Sequence, residues 1–468
     1  MSVSIFDSFL TTSDMIAAFD DAAVVQAMLS FESALARAQA DEKLIPASAA
    51  GAIAGVCNAQ LYDIPALIHA SRSAGSLAIP LVKELTRSVA LYDEEAARHV
   101  HWGSTSQDVV DSAMVLVTRE ALQLLDDGLH DLTSHLLQLA RRHLATPVLA
   151  RTLMQPAQVS SFGFKASGWL APLVRARARL REAAERALCL QLGGAVGTLS
   201  ILGEHGAPVA ARTAKTLGLQ VADAAWHTQR DDWARLGMEV AVLTGSLGKL
   251  AADLSLMAQG EVAELAEPSG KGRGGSSAMP HKRNPVSAMI ALAAARRTPQ
   301  HAAALLSCMS QEHERGLGTW QAELAEWPAL FLSAHGALCA LNDAMAGLSV
   351  DTTRMLANID ALNGLVFAEA VAAHLAAAIG RPKAHEMLEQ LARRVVDEDR
   401  HLKDLLLEAI HEDPQLRAFV DSSAVNGLFD PVGAAAHASR LAGRQLADLD
   451  ARMQMFAHSH PFRRQETA

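Results

Sequence analysis

Between Trp233 and Leu265 the apolar residues Leu236, Val240, Leu243, Leu247, Leu250, Leu254 and Met257 follow one another in alternating steps of four and three. That rhythm is a heptad seam, and it predicts one long helix that cannot bury its own stripe. Phe331, Ala334, Leu338, Leu341, Met345 and Leu348 repeat it. Val110, Met114, Val117, Ala121, Leu124, Leu132, Leu136 and Leu139 form a further stripe with one longer gap, and residues 164–190 read as a helix with a wetter face. Several such helices in one chain imply an elongated bundle, and stripes this long suggest subunits that share it.

The remainder of the chain is more punctuated. Short helices are expected over residues 13–98, with Pro46, Pro65 and Pro80 at their boundaries, and again from Asp351 onward, broken near Gly364, Pro382, Pro414 and Pro431. The expected architecture is therefore all-α in three helical domains: 1–105, 106–350 as the central long-helix bundle, and 351–468 with a polar tail. Hydrophobic residues make up 50% of the 468 but aromatics only 4%, a composition that favours helix.

A formal net charge of −10 argues against nucleic acid as a partner. Cys57, Cys189, Cys308 and Cys339 lack paired spacing and read as reduced thiols. No secretory signal is expected at the N-terminus, the apolar runs read as too short and broken to span a bilayer, and a cytoplasmic address follows.

Three polar islands interrupt the long helices. Residues 267–285 hold four glycines, three prolines and three serines, and so read as a mobile loop. Lys271, Arg273, His281, Lys282 and Arg283 make this stretch basic on an acidic chain, which points to an anionic ligand. The loop is continued by Gln311-Glu-His-Glu-Arg-Gly316, where His313 and Arg315 could face either a site or solvent. His101-Trp-Gly-Ser-Thr-Ser-Gln-Asp108 stands at a helix entrance, where Ser104, Thr105, Ser106 and Gln107 could bind a carboxylate or simply cap the helix. His99 and His101 have no third ligand at useful spacing, so no metal is expected. The last island joins Arg151-Thr-Leu-Met-Gln-Pro-Ala-Gln158 to Gly193-Gly-Ala-Val-Gly-Thr198, whose glycines read as a helix stop rather than a dinucleotide fingerprint.

Gly275-Ser-Ser-Ala-Met-Pro-His-Lys-Arg-Asn-Pro285 resembles the signature loop of the fumarase/aspartase superfamily. Thr105-Ser-x-Asp108 and the 193–198 turn resemble its other common stretches, in the same order, so the resemblance covers essentially the whole chain. It implies a homotetramer with a central twenty-helix bundle, active sites built from three subunits, and chemistry without metal or redox cofactor at a carbon beside a carboxylate. By the same matches Ser276 transfers the proton, assisted by Lys282, while Lys282 and Asn284 hold the carboxylate that becomes electron-rich. Thr105, Ser106 and Gln107 would bind a second carboxylate and Arg315 or His281 a third, with Ser104, Gln155, Ser277, Met279 and His313 also against the substrate.

Three stretches, Trp226-His-Thr-Gln-Arg-Asp231, the loop itself and Gln311-Glu-His-Glu-Arg-x-Leu-Gly-x-Trp320, are similar to the branch that closes a tricarboxylate into a lactone. A departure sharpens this. Adenylosuccinate lyases and fumarases read Arg-Thr-His-x-Gln, with the His assisting the departing group, and this chain has Leu153 there. Lactone opening expels a carboxylate, whose conjugate acid has a pKa of about 4, so it can leave without a proton donor. Another superfamily lyase, such as adenylosuccinate or argininosuccinate lyase, is the alternative that Leu153 disfavours. A catalytically silent scaffold is disfavoured by the intact Ser276, Lys282 and Asn284.

Overall fold

The computed structural model describes residues 5–270, 274–275, 279, 282–456 and 462. Five long helices carry the architecture: α2 (Ser106–Arg142), α3 (Phe162–Ala187), α4 (Asp231–Met257), α5 (Val286–Ser307) and α6 (Thr319–Ala346). Before them, α1 (Asp21–Asp41) packs on α2; after them come α7 (Thr352–Asp360) and the last helix, α8 (Pro431–Gln454), which packs on α3.

The seam on α4 is buried along its length: Leu236, Val240, Leu243 and Leu247 are fully enclosed, and Met257 is 3% exposed. Each such side chain contributes about 1.5–3 kcal/mol when withdrawn from water. Next to the seam, the Trp233 and Trp327 rings stack at 3.9 Å, and Trp327 donates its indole N–H to Thr118 at 2.8 Å. A separate apolar core, with Val371, Leu375, Leu391, Leu402 and Leu406 at its centre, lies among the C-terminal helices.

The structure departs from the sequence reading in four places. The α4 pattern stops at Met257 rather than Leu265, because the chain turns with Ala263 at φ 49° and then pairs β5 (Leu265–Ala266) with β6 (Ser349–Val350). An all-helical chain was expected, yet a mostly helical one also holds three two-stranded sheets: β1 (Pro147–Thr152) with β2 (Gln155–Ser161), β3 (Cys189–Leu190) with β4 (Gln220–Val221), and the β5–β6 pair. The polar island at 151–158 is therefore part of a β-hairpin. Finally, α4 and α6 are each long and apolar enough, by length and composition, to cross a membrane. The expectation that no run qualifies is corrected: seam helices built of Leu, Ala and Gly reach that hydropathy, and 50% and 67% of the residues in their most apolar windows are buried inside the chain.

The long helices run to and fro between two ends. With 37 residues at 1.5 Å each, α2 spans about 55 Å. Its start meets Gly193 and Gly194 beyond the end of α3, Arg230 just before α4 and Arg315 beyond α5. Its far end adjoins the hairpin, where Phe162 N–H donates to Thr146 and Gly163 N–H to His143. The ends of α4 and α6 reach that same far end, because Arg151 of β1 bonds Glu264 and β5 pairs β6.

Candidate active site

Thr105 is the N-cap of α2, in extended backbone at φ −129°, ψ 163°. Just inside the helix, Asp108 is wholly buried and its two oxygens are saturated. Oδ1 accepts from Gly193 N–H at 3.0 Å and from His227 Nε2 at 2.7 Å; Oδ2 accepts from Gly194 N–H at 2.9 Å, Thr105 N–H at 3.0 Å and, at 3.4 Å, the Ser104 hydroxyl. The two glycines thus bring backbone amides onto a carboxylate instead of stopping a helix; α3 has already ended at Ala187. A side chain at Gly193 would meet the Ala225 Cβ at 2.6 Å, so only glycine fits this approach.

One turn further, Asp111 anchors a second buried network. It accepts from Trp320 Nε1 at 2.9 Å, from Arg230 Nη1 at 2.9 Å and from Gln107 Nε2 at 3.2 Å. Arg230, 2% exposed, also bonds Glu323 through Nε at 3.2 Å, and its guanidinium lies 4.6 Å from the Trp226 ring centre. Burial disfavours the Arg230 charge, but Asp111 and Glu323 outweigh it and hold its pKa above the ordinary value. Burial pushes the Glu323 carboxyl up, with Arg230 pulling against it.

Arg315 closes this end. Its Nη1 donates to Thr105 Oγ1 at 2.7 Å, Nη2 to Ser106 Oγ at 3.1 Å and Nε to Gln107 Oε1 at 3.2 Å. Gln107 is 1% exposed, and its amide nitrogen also reaches the His227 carbonyl at 2.9 Å. Gln107, expected against the substrate, has both ends of its amide engaged within the chain, with its oxygen on Arg315. The helix entrance and Arg315, expected on separate carboxylates, form one cradle. Among the described residues three of the five guanidinium N–H groups are used, which leaves two without a partner there. His313 sits in an exposed turn at φ 48°, without a hydrogen bond among the described residues.

The His101 Nδ1 bonds Glu32, itself 1% exposed, at 2.6 Å. Burial lowers the His101 pKa, but Glu32 and then Asp108 overcome this and the net direction is upward. A raised folded-state pKa gives stability that is full below the unfolded value of about 6.5 and disappears as pH climbs through the folded value. The Tm advantage of the native chain over His101→Gln should accordingly shrink as pH rises from 6 upward in thermal melts. An advantage that grows over that range would contradict the pairing.

At the far end, Arg151 grips the fully buried Glu264 with two bonds of 3.1 and 2.8 Å, and Asn358 of α7 donates to the same carboxylate at 2.8 Å. The hairpin turns through Leu153 and Met154 at φ 51° and 68°, a left-handed pair without glycine. These apolar side chains are 97% and 71% exposed. Gln155 faces solvent beside them, paired with Thr152.

The base of the 267–285 loop lies at the same end. Glu267 accepts from the Ser287 and Ala288 amides at 3.0 and 2.9 Å, Asn284 N–H donates to Gly274 at 2.9 Å, and Gly275 bridges Arg283. Lys282, Arg283 and Asn284 line a cavity of about 490 Å³ with Glu267 and Asp351. Lys282 and Met279 are exposed, and the Lys282 amide bonds the Met279 carbonyl at 3.1 Å. Ser276, Ser277 and His281 lie outside the described residues.

One chain therefore divides the expected residues into two groups. Thr105, Ser106, Gln107 and Arg315 share one end of α2; Gln155, Met279, Lys282 and Asn284 belong to the other. Sequence reasoning missed Asp108, Asp111, Arg230 and Glu323 as the scaffold of the cradle. Their signal was present as acidic residues inside apolar-periodic helices and a basic residue at the start of one, where a charge needs a buried partner.

This bundle, with polar stretches at its ends, places the chain in the fumarase/aspartase superfamily, to which it belongs: the family model described as "Lyase" matches residues 9–298, and "Adenylosuccinate lyase C-terminus" matches 364–444. Within it, the chain is 46% identical to 3-carboxy-cis,cis-muconate cycloisomerase of Bradyrhizobium diazoefficiens, over 94% of this chain and 97% of that protein. It is 45% identical to the enzyme of the same name from Pseudomonas aeruginosa, covering 95% and 96%. The crystal structure of 3-carboxy-cis,cis-muconate lactonizing enzyme from Pseudomonas putida superposes with a TM-score of 0.90 at 41% identity, covering 96% and 99%.

Proposed function

We propose that the chain interconverts 3-carboxy-cis,cis-muconate and 4-carboxymuconolactone in the protocatechuate branch of aromatic catabolism. The observation that carries this reading is Leu153. An apolar side chain at the hairpin tip, where related lyases place a His, suits a reaction whose leaving group is a carboxylate. In the closing direction, one substrate carboxylate adds to the conjugated diene, forming a C–O bond. The electron pair moves into the neighbouring carboxylate as an aci-carboxylate, and Ser276 delivers a proton to the carbon beside it. Lys282 and Asn284 stabilise that charge, and the Arg315 cradle holds another carboxylate. Holding nucleophile and acceptor in the reactive pose supplies most of the advantage.

The same reading takes the site to be assembled between subunits of a homotetramer. Two observations support it: the cradle and the hairpin stand at opposite ends of a helix of about 55 Å, and Leu153 and Met154 hold a strained turn that exposes apolar surface. A neighbouring copy would cover that tip and bring its own cradle against it. A cytoplasmic location, no resident metal or redox cofactor, and Ser104, Ser277, His281 and His313 as further substrate contacts belong to this reading.

The test is an ultraviolet assay for loss of the conjugated diene, with purified protein plus and minus a chelator. Equal turnover in both arms is expected. Cleavage of adenylosuccinate with no action on carboxymuconate would sink the proposal, and loss of activity in chelator would overturn its metal independence.

A further inference from the structure

Behind the hairpin, α3, α4 and α8 line an open groove of about 560 Å³ whose walls carry Lys165, Arg175, Lys249, Arg452, Asp253 and Asp448. Both carboxylates are already engaged. Asp253 accepts from Trp169 Nε1 at 2.7 Å and pairs with Lys249, and Asp448 pairs with Arg452 at 3.0 Å. Lys165 and Arg175 have no hydrogen bond or ion pair among the described residues. Lys165 is only half-exposed, so part of its hydration is lost without replacement. Its pKa is lowered, by burial first, while Asp253 pulls it upward and Lys249 and Arg151 push it down. Two cations without a hydrogen-bonded protein partner among the described residues, half-buried Lys165 and exposed Arg175, thus face a space large enough for a small molecule.

From this surplus we infer a binding site for a small dianion, a phosphate or a short dicarboxylate, held by Lys165 and Arg175. The ammonium and guanidinium each supply charge-assisted donors, and the arriving anion would restore the solvation that Lys165 loses. Lys165 stands one turn from the start of α3, about 33 Å along the helix from Ala187, so the groove is remote from the Arg315 cradle of the same chain. Ala150 and Ser160 also line it. An occupant would therefore brace both strands of the hairpin from behind.

Equilibrium dialysis of the full-length protein with labelled inorganic phosphate, and separately with succinate, tests this. One site per chain is expected to lose affinity by about tenfold or more in Lys165→Gln and in Arg175→Gln, and to persist in Arg315→Gln. Preference for phosphate or for succinate identifies which kind of dianion the site takes. Unchanged binding in both groove variants would overturn the inference. Displacement of the bound anion by carboxymuconate, one for one, would assign the groove to the substrate and overturn it equally.

Discussion

Ser276→Ala is expected to lower kcat on 3-carboxymuconate by about 10²- to 10⁴-fold, the range that a positioned proton-transfer group contributes. The mutation removes the only hydroxyl in the reading that touches the reacting carbon. It leaves the groups assigned to carboxylate binding, Lys282, Asn284 and Arg315, in place, so KM should change far less than kcat. A serine hydroxyl is by itself a poor acid or base. In the proposed mechanism its action would depend on Lys282 and loop amides to stabilise an alkoxide. Steady-state kinetics in the diene assay give the answer, and near-normal turnover would remove Ser276 from the mechanism.

The second large effect is on stability. Arg230→Met should cost about 3–5 kcal/mol, because it strands Asp111 and Glu323 as buried carboxylates with their shared cation gone. Met approximates the length of the Arg stem, so little of the loss would come from cavity formation. Thermal unfolding at pH 7 should show a lowered Tm. Arg230→Lys should recover only part of it, since an ammonium cannot reproduce the forked donation to both acids. A Tm unchanged in Arg230→Met would mean that both carboxyls are neutral in the fold, contrary to the network described.

The long helices were the most legible part of the chain, because a seam such as Leu236 to Met257 repeats the same physical demand seven times. Pro299 and Pro328 lie inside α5 and α6, whose apolar faces hold the helices through them. The hairpin left no local signal, since Leu153 and Met154 are not residues that favour a left-handed turn. Arg315 was legible as a basic residue but not its partners, because they lie 208 to 210 positions away. His227 and Asp108 are likewise 119 positions apart, and only the folded bundle brings an imidazole onto a carboxylate at the helix start.

Gln107 carries a consequence for how the cradle meets its ligand. Asp111 and the His227 carbonyl both demand its N–H₂, so the amide has one permitted orientation, with its oxygen toward Arg315. The guanidinium plane is thereby set before any anion arrives, with the Thr105 and Ser106 hydroxyl oxygens accepting from it. Conformational freedom at this end is surrendered once, when the chain folds, and does not have to be surrendered again at each encounter with substrate.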